Sequence, residues 1–213
     1  MRMNNLDLSK ERAAAGQRYL SRIREAAQHL ERAGAADCVK QADDLAPDFA
    51  LATPSGSFVG LSDQLRSGPV VISFYRGEWC PFCEAELAAL LAAQPAMAAL
   101  GATLLLISPE PPSQALVAKV AAHGRRVRLL HDRMLGVALQ YGLVYLVPDK
   151  LREYYLDVDF DLTRLHSGSW LLPLPADFIV RADGRIELAY VDADFTVRLD
   201  PKTLLQTLSR LHN

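Results

Sequence analysis

Two cysteines three residues apart are the most informative chemical feature of this chain. Cys80 and Cys83 follow the apolar run 70–74 and precede an Ala- and Leu-rich stretch, a pattern that predicts a buried strand, a turn and a helix. Both thiols would then lie in the first helical turn, close enough to form a disulfide. Unpaired backbone N–H groups and the helix dipole stabilise a thiolate there. The pair therefore predicts thiol redox chemistry.

Two other interpretations of the pair remain open. A structural zinc ion needs four ligands, and the chain has no second pair at metal-binding spacing. The additional candidate ligands are single cysteine and histidine residues scattered along the chain: Cys38, His29, His123, His131, His166 and His212. The pair could also be buried and inert, as structural cysteines often are. Because no second ligand pair exists, redox chemistry is the favoured interpretation, and we expect no metal and no cofactor.

Several nearby residues are candidates to support the pair. Arg76 is placed to hold a thiolate or an incoming anion, and Trp79 to shield the sulfurs, although each is equally compatible with packing or solvation. Glu86 is a third candidate, which could serve only to cap the helix. Cys38 stands alone in a predicted linker, where an incidental cysteine and a resolving cysteine are both possible.

Composition and charge exclude several classes of protein. The chain has 213 residues, of which 50% are hydrophobic and 23% charged, and its formal charge is −2. This composition is typical of a globular protein, and it lacks the basic patch that would attract nucleic acid or an anionic membrane. Residues 1–12 lack the apolar core of a secretory signal, and no apolar run approaches the roughly 20 residues that span a bilayer. We therefore expect a cytoplasmic protein with neither of those partners.

The chain divides into an N-terminal extension, residues 1–43, and one main domain, residues 44–213. Apolar residues at helical spacing predict an amphipathic helix over 9–33, and residues 35–45 resemble a linker. The helix is expected to pack against the main domain, with a homodimer contact as the alternative.

Alternating strand and helix signals predict an α/β fold in the main domain. The early half has β-α-β-α-β order, and the late half contains a hairpin around Asp183-Gly184, so the central sheet should be mixed and flanked by helices. The predicted strands are 49–51, 58–61, 69–75, 103–107, 127–130, 178–182 and 186–191. The predicted helices are 81–100, 113–122, 134–141 and 201–211. An aromatic and acidic insertion, 144–172, with a short helix over 150–156, could cover the active site.

Residues from about 44 to 208 resemble the alkyl hydroperoxide reductase and thiol-specific antioxidant family of peroxiredoxins, within the thioredoxin-fold superfamily. The resemblance is carried by the entry segment 46–49, by Phe74-Tyr75 with Glu86 around the turn, and by the late hairpin 178–186. It implies a thioredoxin-like fold with an N-terminal helical extension. Family members place the attacking cysteine nine residues after this Phe, which corresponds to Cys83.

Three positions depart from the peroxiredoxin pattern. Arg76 stands where the family has proline, Cys80 where it has threonine or serine, and Pro175 where it has arginine. Trp-Cys-Pro-x-Cys and a proline before the hairpin resemble thioredoxin instead, in which a cis proline faces the sulfurs. A cis Pro175 would shape the substrate groove. The chain most resembles the bacterial peroxiredoxin-like subgroup that carries both features.

The leading functional hypothesis is an antioxidant thiol-dependent oxidoreductase that reduces peroxides and closes a Cys80–Cys83 disulfide. The resemblance to thioredoxin favours Cys80, at the tip of the helix, as the attacking thiol, whereas the peroxiredoxin spacing favours Cys83. A thioredoxin or glutathione system would supply the reducing thiol. The alternatives are a protein disulfide reductase and a thioredoxin-fold binding module without turnover.

Overall fold

The computed structural model describes residues 5–165 and 168–212, with side chains described from residue 16 onward. His166, one of the candidate zinc ligands, lies outside these residues. Within them, no helix combines the length and the apolar character that crossing a bilayer requires.

The described chain alternates helices and strands in the order that the sequence predicts for an α/β domain. Its elements are α1 Asn5–Arg32, β1 Ala50–Ala52, β2 Phe58–Gly60, α2 Leu61–Leu65, β3 Val70–Phe74, α3 Pro81–Ala99, β4 Thr103–Ser108, α4 Gln114–Ala121, β5 Val127–His131, α5 Gly136–Gln140, β6 Val144–Leu146, α6 Asp149–Asp157, β7 Leu171–Pro173, β8 Ala176–Val180, β9 Ile186–Val191 and α7 Pro201–His212. A 3-10 turn spans Leu162–Arg164.

The central sheet has seven strands in the order β2-β1-β5-β4-β3-β8-β9. Strands β3, β4 and β5 run parallel, whereas β8 pairs antiparallel with β3 and then with β9. The predicted mixed sheet is thus confirmed. Every residue of β3 and β4 is buried, because helices cover both faces of the sheet and leave no position for a polar, solvated side chain.

Each face of the sheet carries its own apolar core. Helices α3, α4 and α7 cover one face, packing against side chains such as Val71 and Leu104. Helices α1, α2, α5 and α6 contribute to the core on the other face, around Ile72, Phe74 and Phe178. The turn between β3 and α3, which carries Cys80, therefore emerges between two helical layers.

Two of the predicted boundaries shift for physical reasons, and one sheet appears that was not predicted. Helix α5 begins at Gly136 instead of residue 134, because the Asp132 carboxylate accepts the backbone N–H groups of Val137 and Ala138 at 3.2 and 2.8 Å. The late hairpin begins two residues earlier, since Ala176 pairs with Phe74. The insertion contains the predicted short helix, α6, and also a two-stranded sheet, β6–β7, which the sequence did not predict.

The N-terminal segment packs against the main domain. Ile23 and Leu30 of α1 and Val39 of the following segment are buried in the same core as β3 and β8. The backbone of residues 38–39 passes so close to Gly142 that a Cβ there would lie 2.6 Å from the Cys38 carbonyl carbon. A homodimer contact through α1 stays a prediction.

Gly142→Ala should destabilise the protein more than Gly124→Ala. Both glycines have a positive φ, +76° and +79°, so both substitutions carry the left-handed backbone penalty of about 1–2 kcal/mol. Only at Gly142 would the new methyl group also meet backbone, whereas nothing lies within 4 Å at Gly124. Urea denaturation of both variants measures the difference. Equal free energies of unfolding would contradict the close approach of residues 38–39.

Candidate active site

The turn between β3 and α3 places the two cysteines. Gly77 has a φ of +150°, and a Cβ there would lie 2.5 Å from Trp79 Nε1, so the turn requires glycine. Glu78 accepts hydrogen bonds from the backbone N–H and the hydroxyl of Ser113, at 2.6 and 2.7 Å. This carboxylate ties the turn to the start of α4. Cys80 is the N-cap of α3, and Pro81 begins the helix.

Cys80 and Cys83 do not form a disulfide in the described protein, and both residues are completely buried, with an exposed fraction of 0%. The Cys83 thiol, which donates a hydrogen bond to Cys80, and the Arg76 guanidinium lower the pKa of Cys80 to about 5, against the opposing effect of burial. Burial, followed by the neighbouring Cys80, raises the pKa of Cys83. At neutral pH the pair therefore consists of a Cys80 thiolate and a Cys83 thiol.

Arg76 is the cation that faces Cys80. Its Nη2 donates to Cys80 Sγ at 3.2 Å, and its Nη1 donates to the Tyr145 hydroxyl at 3.4 Å. The guanidinium lies between two aromatic rings, 4.1 Å from the Phe195 centroid and 4.9 Å from that of Trp79. Of the two roles that the sequence allowed for Arg76, the geometry agrees with holding a thiolate.

Aromatic residues of the insertion enclose this cation and its sulfur. Trp79 packs against Tyr155 of α6 and against Phe160, with ring centroids 5.9 and 5.0 Å away. Tyr145 of β6 stacks on Phe195 at 6.4 Å. Helix α1 supports the enclosure from outside, because Tyr19 stacks on Tyr154 at 5.6 Å. The enclosure over Cys80 agrees with the prediction that the insertion covers the site.

Arg198, which the sequence did not indicate, lies against Cys83 and pairs with Glu86, and Asp177, also not indicated, interacts with Glu86. Glu86 is buried in α3 and accepts from Arg198 Nε at 2.8 Å, and Arg198 Nη2 lies 3.5 Å from Cys83 Sγ. Burial, followed by the Asp177 carboxylate, raises the pKa of Glu86 to about 8, although Arg198 opposes the shift. Burial also raises the pKa of Asp177, to about 6. Glu86 is thus part of a buried ionisable group and not a helix cap.

Pro175 and Cys38 occupy different surroundings. Pro175 directly precedes Ala176, which pairs with Phe74, so it lies at the end of the sheet from which the cysteine-bearing turn emerges. The cis bond that the thioredoxin resemblance suggested for Pro175 is wrong, since no cis peptide bond occurs in the described residues. Cys38 is exposed on the segment that follows α1.

The residues of the site that were not predicted differ in the strength of their sequence signal. Asp177 interrupts an apolar strand and pairs across the sheet with Ser73, another buried polar residue in an apolar run. Such interruptions are a detectable signal. Tyr145 and Tyr155 belong to the insertion, which its aromatic content already marked. Arg198 has no local signal, because only the fold brings it to Cys83.

The absorbance of thiolate at 240 nm should show one group titrating near pH 5 in a Cys38→Ser protein, with the second thiol titrating far higher. Arg76→Gln should raise the lower midpoint, because the thiolate loses its cationic partner. Arg198→Gln serves as the control, since Arg198 lies against the other sulfur and should move the lower midpoint much less. A lower midpoint near that of an ordinary thiol in the parent protein would contradict the assignment.

The buried Glu86 should also make stability depend on pH. Its folded pKa, about 8, exceeds its ordinary value of 4.5, so its contribution is complete below pH 4.5 and is lost as the pH rises through 8. In a protein with Cys80→Ser and Cys83→Ser, where neither thiol titrates, the free energy of unfolding should fall between pH 5 and 8.

Adding Glu86→Gln to that protein should remove most of this decline. A smaller decline that ends near pH 6 should remain, because the pKa of Asp177 is also raised. Urea denaturation across the pH range is the measurement. If the free energy of unfolding fell equally with pH in the proteins with and without Glu86→Gln, the Glu86 carboxyl would not be buried as described.

Solved structures of peroxiredoxins share this fold. Peroxidoxin BcpB from Mycobacterium tuberculosis is 23% identical, with a TM-score of 0.60 over 80% of this chain and 97% of its own. Peroxiredoxin Q from Xanthomonas campestris is 15% identical, with a TM-score of 0.57 over 82% of this chain and 98% of its own.

A third structure is that of a yeast mitochondrial 1-Cys peroxiredoxin, whose thiol-resolving mechanism is described as proceeding via glutathione/thioredoxin systems. It is 16% identical, with a TM-score of 0.58 over 81% of this chain and 76% of its own. No curated protein sequence matches the chain.

The sequence profile of the AhpC/TSA family matches residues 42–189, more than half of the chain. This range contains the turn that carries the two cysteines, the enclosing insertion and the late hairpin strand β8, and it agrees with the fold described above. The chain belongs to the AhpC/TSA family and is an oxidoreductase.

Proposed function

We propose that this protein is a thiol peroxidase in which Cys80 attacks the peroxide and Cys83 resolves the product. The contact between Arg76 Nη2 and Cys80 Sγ, 3.2 Å long inside a fully buried site, carries this proposal. A buried cation stabilises a buried anion in contact with it, so the nucleophilic thiolate at neutral pH belongs to Cys80 and not to Cys83. Only the thiolate is an effective nucleophile.

The proposed reaction has two steps. The Cys80 thiolate bonds to the terminal oxygen of a hydroperoxide, the O–O bond breaks, and the other oxygen leaves as an alkoxide that takes a proton to become the alcohol. Sulfur is thereby oxidised to a sulfenic acid and the peroxide is reduced. Cys80 then no longer carries the negative charge that raises the pKa of Cys83, so Cys83 can lose its proton. Its thiolate attacks the sulfur of the sulfenic acid, the hydroxide takes up that proton and leaves as water, and a Cys80–Cys83 disulfide forms.

Burial of the sulfurs favours a small substrate over a protein disulfide. Cys80 and Cys83 both have an exposed fraction of 0%, and the Trp79, Tyr155 and Phe160 rings cover the site. A protein disulfide must bring its own backbone to the attacking sulfur, whereas a hydroperoxide needs only a narrow path. A protein disulfide reductase is therefore the less favoured alternative.

Completion of the cycle requires a dithiol or two monothiols that return two electrons to the disulfide. We propose that a thioredoxin or glutathione system supplies them, as is described for the structurally similar yeast peroxiredoxin. Because the sulfurs are buried, glutathione needs only a narrow path to the disulfide, whereas a thioredoxin requires the turn that carries the cysteines to open. In the cell this turnover would serve an antioxidant role.

Single cysteine variants in a Cys38→Ser background test the assignment of roles. Stopped-flow measurement with hydrogen peroxide should show loss of the reaction in Cys80→Ser. Cys83→Ser should still consume about one equivalent of peroxide and then stop, because the sulfenic acid has no thiol to attack it. Dimedone labelling followed by mass spectrometry identifies that sulfenic acid on Cys80.

Two outcomes would contradict the proposal. Loss of peroxide reaction in Cys83→Ser, with Cys80→Ser still forming a sulfenic acid, would make Cys83 the attacking residue. Slow reaction of the parent protein with peroxide, together with fast reduction of insulin disulfides, would identify a disulfide reductase.

A further inference from the structure

Three buried donors beside Cys80 lack a partner of hydrogen-bond geometry among the described residues: the Tyr155 hydroxyl, Arg76 Nε and Trp79 Nε1. Tyr155, with an exposed fraction of 3%, and Arg76, with 0%, are both deeply buried. The Arg76 side chain also contacts the Tyr155 hydroxyl, but because arginine only donates, that contact leaves the Tyr155 O–H available as a donor. Unpaired buried groups are destabilising, and they are rare unless a ligand, water or catalytic role accounts for them.

These donors converge on the attacking sulfur. The Tyr155 ring is held edge-on against Trp79 and Phe160, at 5.9 and 5.4 Å. In that position its hydroxyl interacts electrostatically with Arg76, Cys80 and Cys83. Arg76 Nη2 already contacts Cys80 Sγ. The Tyr155 hydroxyl and the Arg76 guanidinium therefore belong to the same buried site as the Cys80 sulfur.

The chemistry of these groups restricts the ligand. Two N–H or O–H donors beside a thiolate require a small ligand with acceptor oxygen atoms. The surrounding surface is aromatic, so the remainder of the ligand should be apolar. Hydrogen peroxide and small alkyl or aryl hydroperoxides satisfy both conditions, because their two linked oxygens offer one atom to the sulfur and one to the donors.

We propose that the Tyr155 hydroxyl, together with Arg76 Nε–H, donates hydrogen bonds to the hydroperoxide oxygen that becomes the leaving alkoxide. Negative charge grows on this oxygen as the O–O bond breaks, and preorganised donors stabilise it most in the transition state. A proton from water then completes the alcohol, so the tyrosine remains neutral. This inference rests on the proposed peroxidase function.

The position of Tyr155 has a consequence for how the site is assembled. The residue belongs to α6 in the insertion, not to the turn or the sheet that carry the cysteines. The insertion would thus supply part of the catalytic machinery in addition to covering it. This is consistent with the presence of Arg76 and Cys80 at positions where the peroxiredoxin pattern has proline and a hydroxyl residue.

Tyr155→Phe tests the proposal, with Tyr154→Phe as the matched control. The control removes the hydroxyl of the adjacent tyrosine, which is half-buried and stacks on Tyr19. In stopped-flow experiments at pH 7, Tyr155→Phe should react with hydrogen peroxide and with cumene hydroperoxide about 100-fold more slowly than the parent protein, the loss typical of removing one such donor. Tyr154→Phe should react at nearly the parent rate.

A second reagent separates catalysis from structure. The same thiolate attacks the CH2 carbon of iodoacetamide, forming a C–S bond and releasing iodide, a leaving group that needs no hydrogen-bond donor. Its rate with Tyr155→Phe should stay within about threefold of the parent, and the thiolate absorbance should titrate at the same pH. This combination shows that the thiolate is intact and that only O–O cleavage is affected.

The remaining outcomes overturn the proposal in distinguishable ways. If the parent reacts rapidly with peroxide and Tyr155→Phe does so equally, the tyrosine is not a donor although the peroxidase function stands. An equal loss with peroxide and iodoacetamide would mean that Tyr155 acts only through the structure of the site. A parent protein that does not react with peroxide would overturn the proposed function and this inference together.

Discussion

The contact between the Arg76 guanidinium and the Cys80 sulfur is the interaction on which the site depends. Removing a charged group from water is costly unless an opposite charge and hydrogen bonds replace the solvent. Arg76 is completely buried and stays charged at any physiological pH. A thiolate 3.2 Å away and two flanking aromatic faces provide that replacement. The buried cation and the lowered pKa of Cys80 are consequently two aspects of the same constraint.

The fold meets this constraint by fixing both ends of a short turn. Strand β3 is buried on both faces and ends at Phe74, and α3 begins directly after Cys80. Gly77 allows the chain to reverse between them, and the Glu78 carboxylate ties the turn to Ser113. Because both flanking elements are held by apolar cores, the Arg76 side chain has little freedom to leave the sulfur.

The two thiols occupy electrostatically distinct surroundings although they are separated by one helical turn. Cys80 faces the guanidinium of Arg76, whereas Cys83 lies beside Arg198, which pairs with Glu86. Burial and the neighbouring Cys80 raise the pKa of Cys83, and Arg198 opposes this shift without cancelling it. This asymmetry assigns different protonation states to the sulfurs, which counting residues from the Phe-Tyr pair cannot do. That count had pointed to Cys83.

Local sequence determined those features that depend on nearby residues. The apolar run 70–74 predicted a buried strand, the Cys80–Cys83 spacing predicted a thiol pair at a helix start, and Asp183-Gly184 predicted the late hairpin, since each pattern restricts the backbone by itself. The family resemblance and the role of the insertion as a cover were also accessible. Tertiary structure alone decided which sulfur is the thiolate, because that depends on burial and on distances to charges. It alone brought Arg198 to Cys83 across 115 positions in the chain, and it placed Tyr155 beside Cys80, because side chains on separate elements meet only once the sheet and its helices have packed.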